Sequence, residues 1–167
     1  MLSLAEFNAL DLQSAVDHLR CCCGSERWAR DLARRRPFDS VAAIAERADA
    51  IWGRLGAEDW LEAFAAHPRI GESAAGRSAA ESARWSSEEQ ADVQVAAKSV
   101  LARLAKANRD YEERFGFIFI VCATGKRAEE MLAIVEGRLA RSRDEELKTA
   151  AEEQRKITRL RLEKSIT

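Results

Sequence analysis

Apolar residues along most of this chain recur at steps of three and four, the spacing of one helical face. Val41, Ile44, Ala48, Ile51, Trp52 and Leu55 follow it, with Asp39 or Ser40 as the N-cap. The same spacing predicts helices over 4–10 and 11–22, the second stopped by Gly24. Ser25 is a cap for the helix of ERWARDLARRR, which RPF at 36–38 interrupts because the residue before proline avoids helix. AEDWLEAFAA forms the next helix, ended by Pro68. Residues 71–85, rich in Gly, Ser and Ala, read as a connector.

A long helix is expected over about 87–114, with a stripe through Val93, Ala96, Val100, Leu101, Leu104 and Tyr111. Thr124 or Gly125 opens a further helix through Met131, Leu132, Ile134, Val135 and Leu139. Ser142 and Glu145 form a capping-box pattern for a last helix reaching about residue 165. One run breaks the helical period. FIFIVCA, 117–123, is β-branched and aromatic and suits a buried extended segment, yet no partner strand is evident. The expected fold is all-α: one single-domain helical bundle over 1–167, with one short buried extended segment near 117–123.

Composition supports this picture. The chain has 167 residues, 47% of them hydrophobic, with two prolines. That is enough apolar material for a sizeable core. The 27 basic and 28 acidic residues nearly cancel, which argues against a nucleic-acid binder. No apolar run approaches the roughly 18 residues of a membrane span. The first ten residues lack the pattern of a signal peptide, and the terminal KSIT is no peroxisomal signal. Cys21, Cys22, Cys23 and Cys122 match neither a disulfide framework nor zinc spacing. The expectation is a reduced, cytoplasmic protein without a structural metal.

Five stretches could carry chemistry. His67 stands at a helix end, directly before Pro68. There it is either an imidazolium favoured by the helix dipole or a general acid–base whose ring Pro68 helps to fix. The other histidine, His18, lies within an amphipathic helix and reads as structural or exposed. Gly71 to Ser78 has the glycine spacing of a phosphate loop, but arginine replaces its lysine and a helix precedes it, so a connector is the better reading. Ser86 with Glu89, and Ser87 with Gln90, are capping pairs. A carboxylate at such a helix start could also orient a histidine or move a proton. The polar groups of 117–123 need partners, which a planar ureide or hydantoin could supply. On the last helix Leu147, Ala150, Gln154, Ile157 and Arg161 share one stripe. Arg161 is either an edge residue with its stem buried or a guanidinium set to grip a carboxylate.

Taken in order, RPF at 36–38, HPRIG at 67–71, S-x-x-E-Q at 86–90, RFGFIFIVCATG at 114–125 and I-x-x-L-R-L at 157–162 resemble the 2-oxo-4-hydroxy-4-carboxy-5-ureidoimidazoline (OHCU) decarboxylases of urate breakdown. The resemblance covers nearly the whole chain. It implies an all-helical, cofactor-independent carboxy-lyase, commonly a homodimer, that releases CO2 from OHCU to leave S-allantoin. It implies catalytic roles for His67, Glu89 and Arg161. It implies substrate contacts at Pro68, at Ser86, Ser87, Glu88 and Gln90, and at Phe119, Ile120, Val121, Cys122 and Ala123. Asp92 stands where the family often has glycine. Three rivals make different predictions. A helical interaction module would tolerate loss of His67, an enzyme for another ureide or hydantoin would show on a substrate panel, and a DNA-binding domain would bind in a salt-dependent way.

Overall fold

The computed structural model describes the backbone of residues 1–67 and 87–167, and the side chains of 1–67 and 98–167. Pro68, the 71–85 connector and Ser86 lie outside the described residues. Eight α-helices are present among those described: α1 (Leu4–Ala9), α2 (Leu12–Cys22), α3 (Glu26–Ala33), α4 (Val41–Trp52), α5 (Ala57–Ala65), α6 (Ser87–Phe115), α7 (Ala128–Arg138) and α8 (Arg143–Ser165). The all-α expectation holds. The chain divides into two compact units, residues 1–67 with 147–167, and residues 68–146.

The first unit contains α1 to α5 and most of α8. Its helices start where polar side chains satisfy free amides. Ser3, Asp11, Ser25 and Ser40 each accept a hydrogen bond from an N–H in the following first turn. Its core holds Phe7, Val16, Leu19, Trp28, Leu32, Ile44, Phe64, Leu162 and Ile166, all at or near zero exposure. Burial of one such side chain contributes about 1.5–3 kcal/mol. The indoles also find polar partners: Trp28 Nε1 donates to Ala48 O at 3.1 Å and Trp52 Nε1 to Ala151 O at 2.9 Å. The two chain ends meet in an isolated parallel bridge, Leu2 with Ile166. Leu2 N–H donates to Ser165 O at 2.9 Å, and Thr167 N–H returns a bond to Leu2 O at 2.9 Å.

Two helix ends, and the part played by Gly24, differ from expectation. α3 stops at Ala33 rather than near 36, and Arg36 explains the corner. Its guanidinium donates to the carbonyls of Ala33, Phe7, Leu10 and Asp11 at 3.0, 3.0, 2.6 and 3.3 Å. Asn8 completes the corner by exchanging two hydrogen bonds with the Phe38 backbone. α4 stops at Trp52 with Gly53 as its C-cap, yet Leu55 beyond it is still buried. α2 ends at Cys22 as expected, but with Cys23, in extended backbone, as its C-cap. Gly24 is thus not a left-handed cap; the positive-φ glycines among the described residues are Gly116 and Gly125. A Cβ at Gly24 would lie 2.4 Å from Ala66 Cβ. Gly24 lets the α2–α3 turn approach the end of α5.

The second unit contains α6, the 117–123 segment and α7. α6 ends at Phe115, where Gly116 takes φ +77 and its N–H donates to Glu112 O at 2.8 Å. This is the usual positive-φ helix stop. Residues 118–123 run without regular structure or a partner strand, and Phe117, Phe119, Ile120 and Val121 are buried. Their aromatic rings pack on α6: Tyr111 lies 4.5 Å from Phe115, 5.9 Å from Phe117 and 5.3 Å from Phe119 between centroids. α7 does not open at Thr124 or Gly125. Gly125 takes φ +78 in a turn, and the helix begins after Arg127, whose N–H donates to Glu130 Oε2 at 2.8 Å. A left-handed glycine cannot serve as the extended N-cap, which moves the start three residues on.

Candidate active site

α5 delivers His67. Ala63 and Phe64 anchor the helix in the core, and Ala66 is its C-cap with helical dihedrals. The His67 N–H then donates to Phe64 O at 3.0 Å. The ring is half-buried, and Nε2 has no hydrogen-bond partner among the described residues. A helix C-terminus favours a charged imidazolium. Here the opposite influences win. Burial, first, and then the nearby Arg161 charge hold the imidazole below its ordinary value of 6.5. The neutral ring is therefore the main form near pH 7.

α8 brings Gln154, Thr158 and Arg161 to the same place. They follow one another by three and four residues and so share a helical face. Gln154 is fully buried, and its Nε2 donates to Thr158 Oγ1 at 3.1 Å. Its amide acts on His67 as a nearby acceptor, the third influence on the ring and opposite to the other two. Neither Gln154 Oε1 nor His67 Nε2 completes a full hydrogen bond with a described residue. Two buried, underused polar atoms beside one another leave donor and acceptor capacity for a ligand. Gln154 is the residue that sequence reasoning did not single out. Its signal was a polar side chain in the middle of the Leu147–Arg161 stripe.

Arg161 Nη1 donates to Cys22 O at 3.2 Å, the last carbonyl of α2. The guanidinium thus satisfies a helix C-terminus and has four further N–H donors. This contact also accounts for part of the cysteine run. Cys22 lies 3.5 Å from Ser165 Oγ, and its thiol is pushed up, chiefly by burial. Cys23 is fully buried and its thiol is pushed up to about 11, again chiefly by burial. Both are inert packing thiols at neutral pH, while Cys21 is exposed. His18 is also held low by burial, with its ring 5.8 Å from Phe7.

The remaining candidates belong to the second unit. Ser87, Glu88, Glu89 and Gln90 form the first turn of α6; their side chains lie outside the described residues, as do Pro68 and Ser86. Phe119 to Ala123 follow α6 and Gly116. The N–H groups of Phe119, Ile120, Val121 and Ala123 have no hydrogen-bond partner among the described residues. Two carbonyls in the run are held: Ile120 O accepts from Arg138 Nη1 at 2.9 Å and Cys122 O from Lys126 Nζ at 2.9 Å. His67 and Arg161 are thus brought together in the first unit. Among the described residues, no group of three or more His, Cys, Asp or Glu could hold a metal ion, and no helix is long and apolar enough to cross a membrane.

Comparison with known proteins finds relatives along nearly the whole chain. The family model for OHCU decarboxylase matches residues 8–163. The Arabidopsis thaliana uric acid degradation bifunctional protein TTL is 39% identical over 92% of this chain. This chain spans only 48% of that protein's length. A 2-oxo-4-hydroxy-4-carboxy-5-ureidoimidazoline decarboxylase of Haloferax volcanii is 30% identical, covering 96% of this chain and 94% of that one. A crystal structure of an OHCU decarboxylase in the presence of (S)-allantoin superposes with TM-score 0.72 at 38% identity, over 89% of this chain and 96% of that one. With the family model matched almost end to end and a relative matched over nearly its full length, this chain belongs to the OHCU decarboxylase family.

Proposed function

We propose that this chain decarboxylates OHCU to S-allantoin and CO2 in urate degradation, and that its 1–167 span acts as one decarboxylase domain. One observation carries the mechanism: a neutral, half-buried imidazole at His67, with an unpartnered Nε2, beside Arg161 and Gln154. The bond between the ring carbon and the carboxylate breaks, CO2 leaves, and the electron pair passes into the ring's carbonyl and imine system. The pair forms a double bond to the neighbouring ureido-bearing carbon while the imine nitrogen takes up a proton. The hydroxyl then loses its proton to become the ring carbonyl, and the ureido-bearing carbon takes up one proton to give allantoin. The ring supplies its own electron sink, so the reaction calls for no pyridoxal or thiamine group. Arg161 grips the departing carboxylate or a neighbouring oxygen through its remaining donors. His67, neutral near pH 7, takes the hydroxyl proton or moves one at the ureido-bearing carbon. Glu89, in the first turn of α6, orients or tunes the imidazole. Ser86, Ser87, Glu88, Gln90 and Pro68 contact the substrate, and the backbone of Phe119 to Ala123 reads its ring and ureido groups. The chain works in the cytoplasm as a homodimer, an assembly checked by its mass in light scattering.

The test is circular dichroism of OHCU generated in the cuvette from urate. Uncatalysed decay gives racemic allantoin, so a chiral signal requires the protein. Wild type is expected to produce the S-allantoin signal, and His67→Asn to lose about 10²–10⁴-fold in rate. Equal rates would remove His67 from the chemistry. No acceleration by folded wild type would reject the decarboxylase reading and favour another ureide substrate.

A further inference from the structure

Four buried groups in the second unit converge on one peptide. Arg138 is 4% exposed, Glu146 and Tyr111 are both at 0%, and Ile120 is at 2%. Arg138 Nε donates to Glu146 Oε2 at 2.7 Å. Tyr111 Oη donates to the same oxygen at 2.6 Å and accepts from Arg138 Nη2 at 3.2 Å. Arg141 reaches Glu146 Oε1 at 3.4 Å. With its charge paired and its plane held on two sides, Arg138 gives Nη1 to Ile120 O at 2.9 Å. Its guanidinium carbon also sits 4.9 Å from the Phe119 ring centroid. A buried ion pair adds little net stability. A core built for stability alone would do as well with apolar side chains here.

The peptide geometry gives this network a further consequence. In a planar trans peptide, C=O and the next N–H point in opposite directions. Holding Ile120 O toward Arg138 therefore turns the Val121 N–H away from the network. Lys126 acts likewise one peptide pair further on: it holds Cys122 O at 2.9 Å and so turns the Ala123 N–H away from itself. The Val121 and Ala123 N–H groups thus each point away from a held carbonyl, and neither has a partner among the described residues.

We infer that Arg138 is a positioning residue for the decarboxylase reaction, fixing through the Ile120 carbonyl the direction of the Val121 N–H that binds substrate. This rests on the reading of Phe119 to Ala123 as substrate-contacting. Lysine can keep the charge beside Glu146 but, as a point donor, cannot serve Glu146, Tyr111 and Ile120 in one plane. Arg138→Lys is therefore expected to raise KM for OHCU, and Kd for S-allantoin by calorimetry, about tenfold, with kcat changed much less. His67→Asn in parallel should lose kcat while retaining S-allantoin affinity. If wild type neither accelerates the reaction nor binds S-allantoin, the functional reading fails, and this inference falls with it. If wild type is active and folded Arg138→Lys keeps wild-type KM and Kd, the positioning role alone is overturned. Should Arg138→Lys fail to fold, Tyr111→Phe decides, since it retains the ring packing and removes one of the bonds holding the guanidinium. A raised Kd supports the inference; an unchanged Kd overturns it.

Discussion

At the scale of single residues, several positions matter for what they touch rather than for what they are. Gly24 is the clearest case. A methyl group there would lie 2.4 Å from Ala66 Cβ, so the turn or the end of α5 would have to shift. Gly24→Ala is expected to cost about 1–3 kcal/mol, read as a lower urea midpoint at unchanged slope. Ala66→Gly in the same chain should recover part of the loss. Because Ala66 adjoins His67, the single variant should also slow turnover. None of this was visible in the sequence, where Gly24 looks like an ordinary helix stop; the close approach depends on α5, about forty residues away. Arg36 shows the reverse. The RPF string was noticed, but its use, one guanidinium gathering carbonyls from two helix ends, needed the fold. His67 was legible as a candidate because histidine is rare in this chain. Its neutral state was not, since the local helix dipole alone argues for the charged form.

At the scale of elements, caps were the most legible feature because they are local. Ser142 and Glu145 behave as their spacing implies: Ser142 N–H donates to Glu145 Oε2 at 2.9 Å and Glu145 N–H to Ser142 Oγ at 3.3 Å. Ser142→Ala should therefore destabilise the start of α8 by about 1 kcal/mol, seen as faster amide exchange in its first turn with little change elsewhere. Ser25 and Ser40 were legible on the same grounds. The start of α7 was not, because Thr124 and Gly125 offer an acceptable cap pattern that the positive φ of Gly125 rules out. The 117–123 segment was legible as a break in the helical pattern and, up to Val121, as largely buried, though Ala123 is exposed; what satisfies it was not legible. Its carbonyl partners, Arg138 and Lys126, come from the residues that follow, and Arg138 reads in sequence as an ordinary basic residue near a helix end.

At the scale of the whole molecule, two histidines make folding depend on pH. Burial holds both His18 and His67 below 6.5, so each resists protonation when folded and accepts it when unfolded. Below about pH 6.5 the unfolded chain binds more protons, and stability falls with falling pH until the folded-state values are passed. Melting temperature should thus decline from pH 7 toward pH 5, and His18→Gln should flatten that decline. Glu6 and Glu130, whose carboxyls lie below their ordinary 4.5 because of helix-start hydrogen bonds, add to the loss only at lower pH. The overall class, all-α with one irregular buried run, could be read from periodicity. The meeting of the chain ends could not, because a bridge of single residues leaves no pattern. That bridge has a topological consequence. Since Leu2 and Thr167 already share a hydrogen bond, a short peptide could splice the two ends into a continuous ring, and new ends could be opened in an exposed turn such as that at Gly53 and Arg54. Such a circular permutant should fold to the same helices, with its polypeptide order changed and its architecture kept.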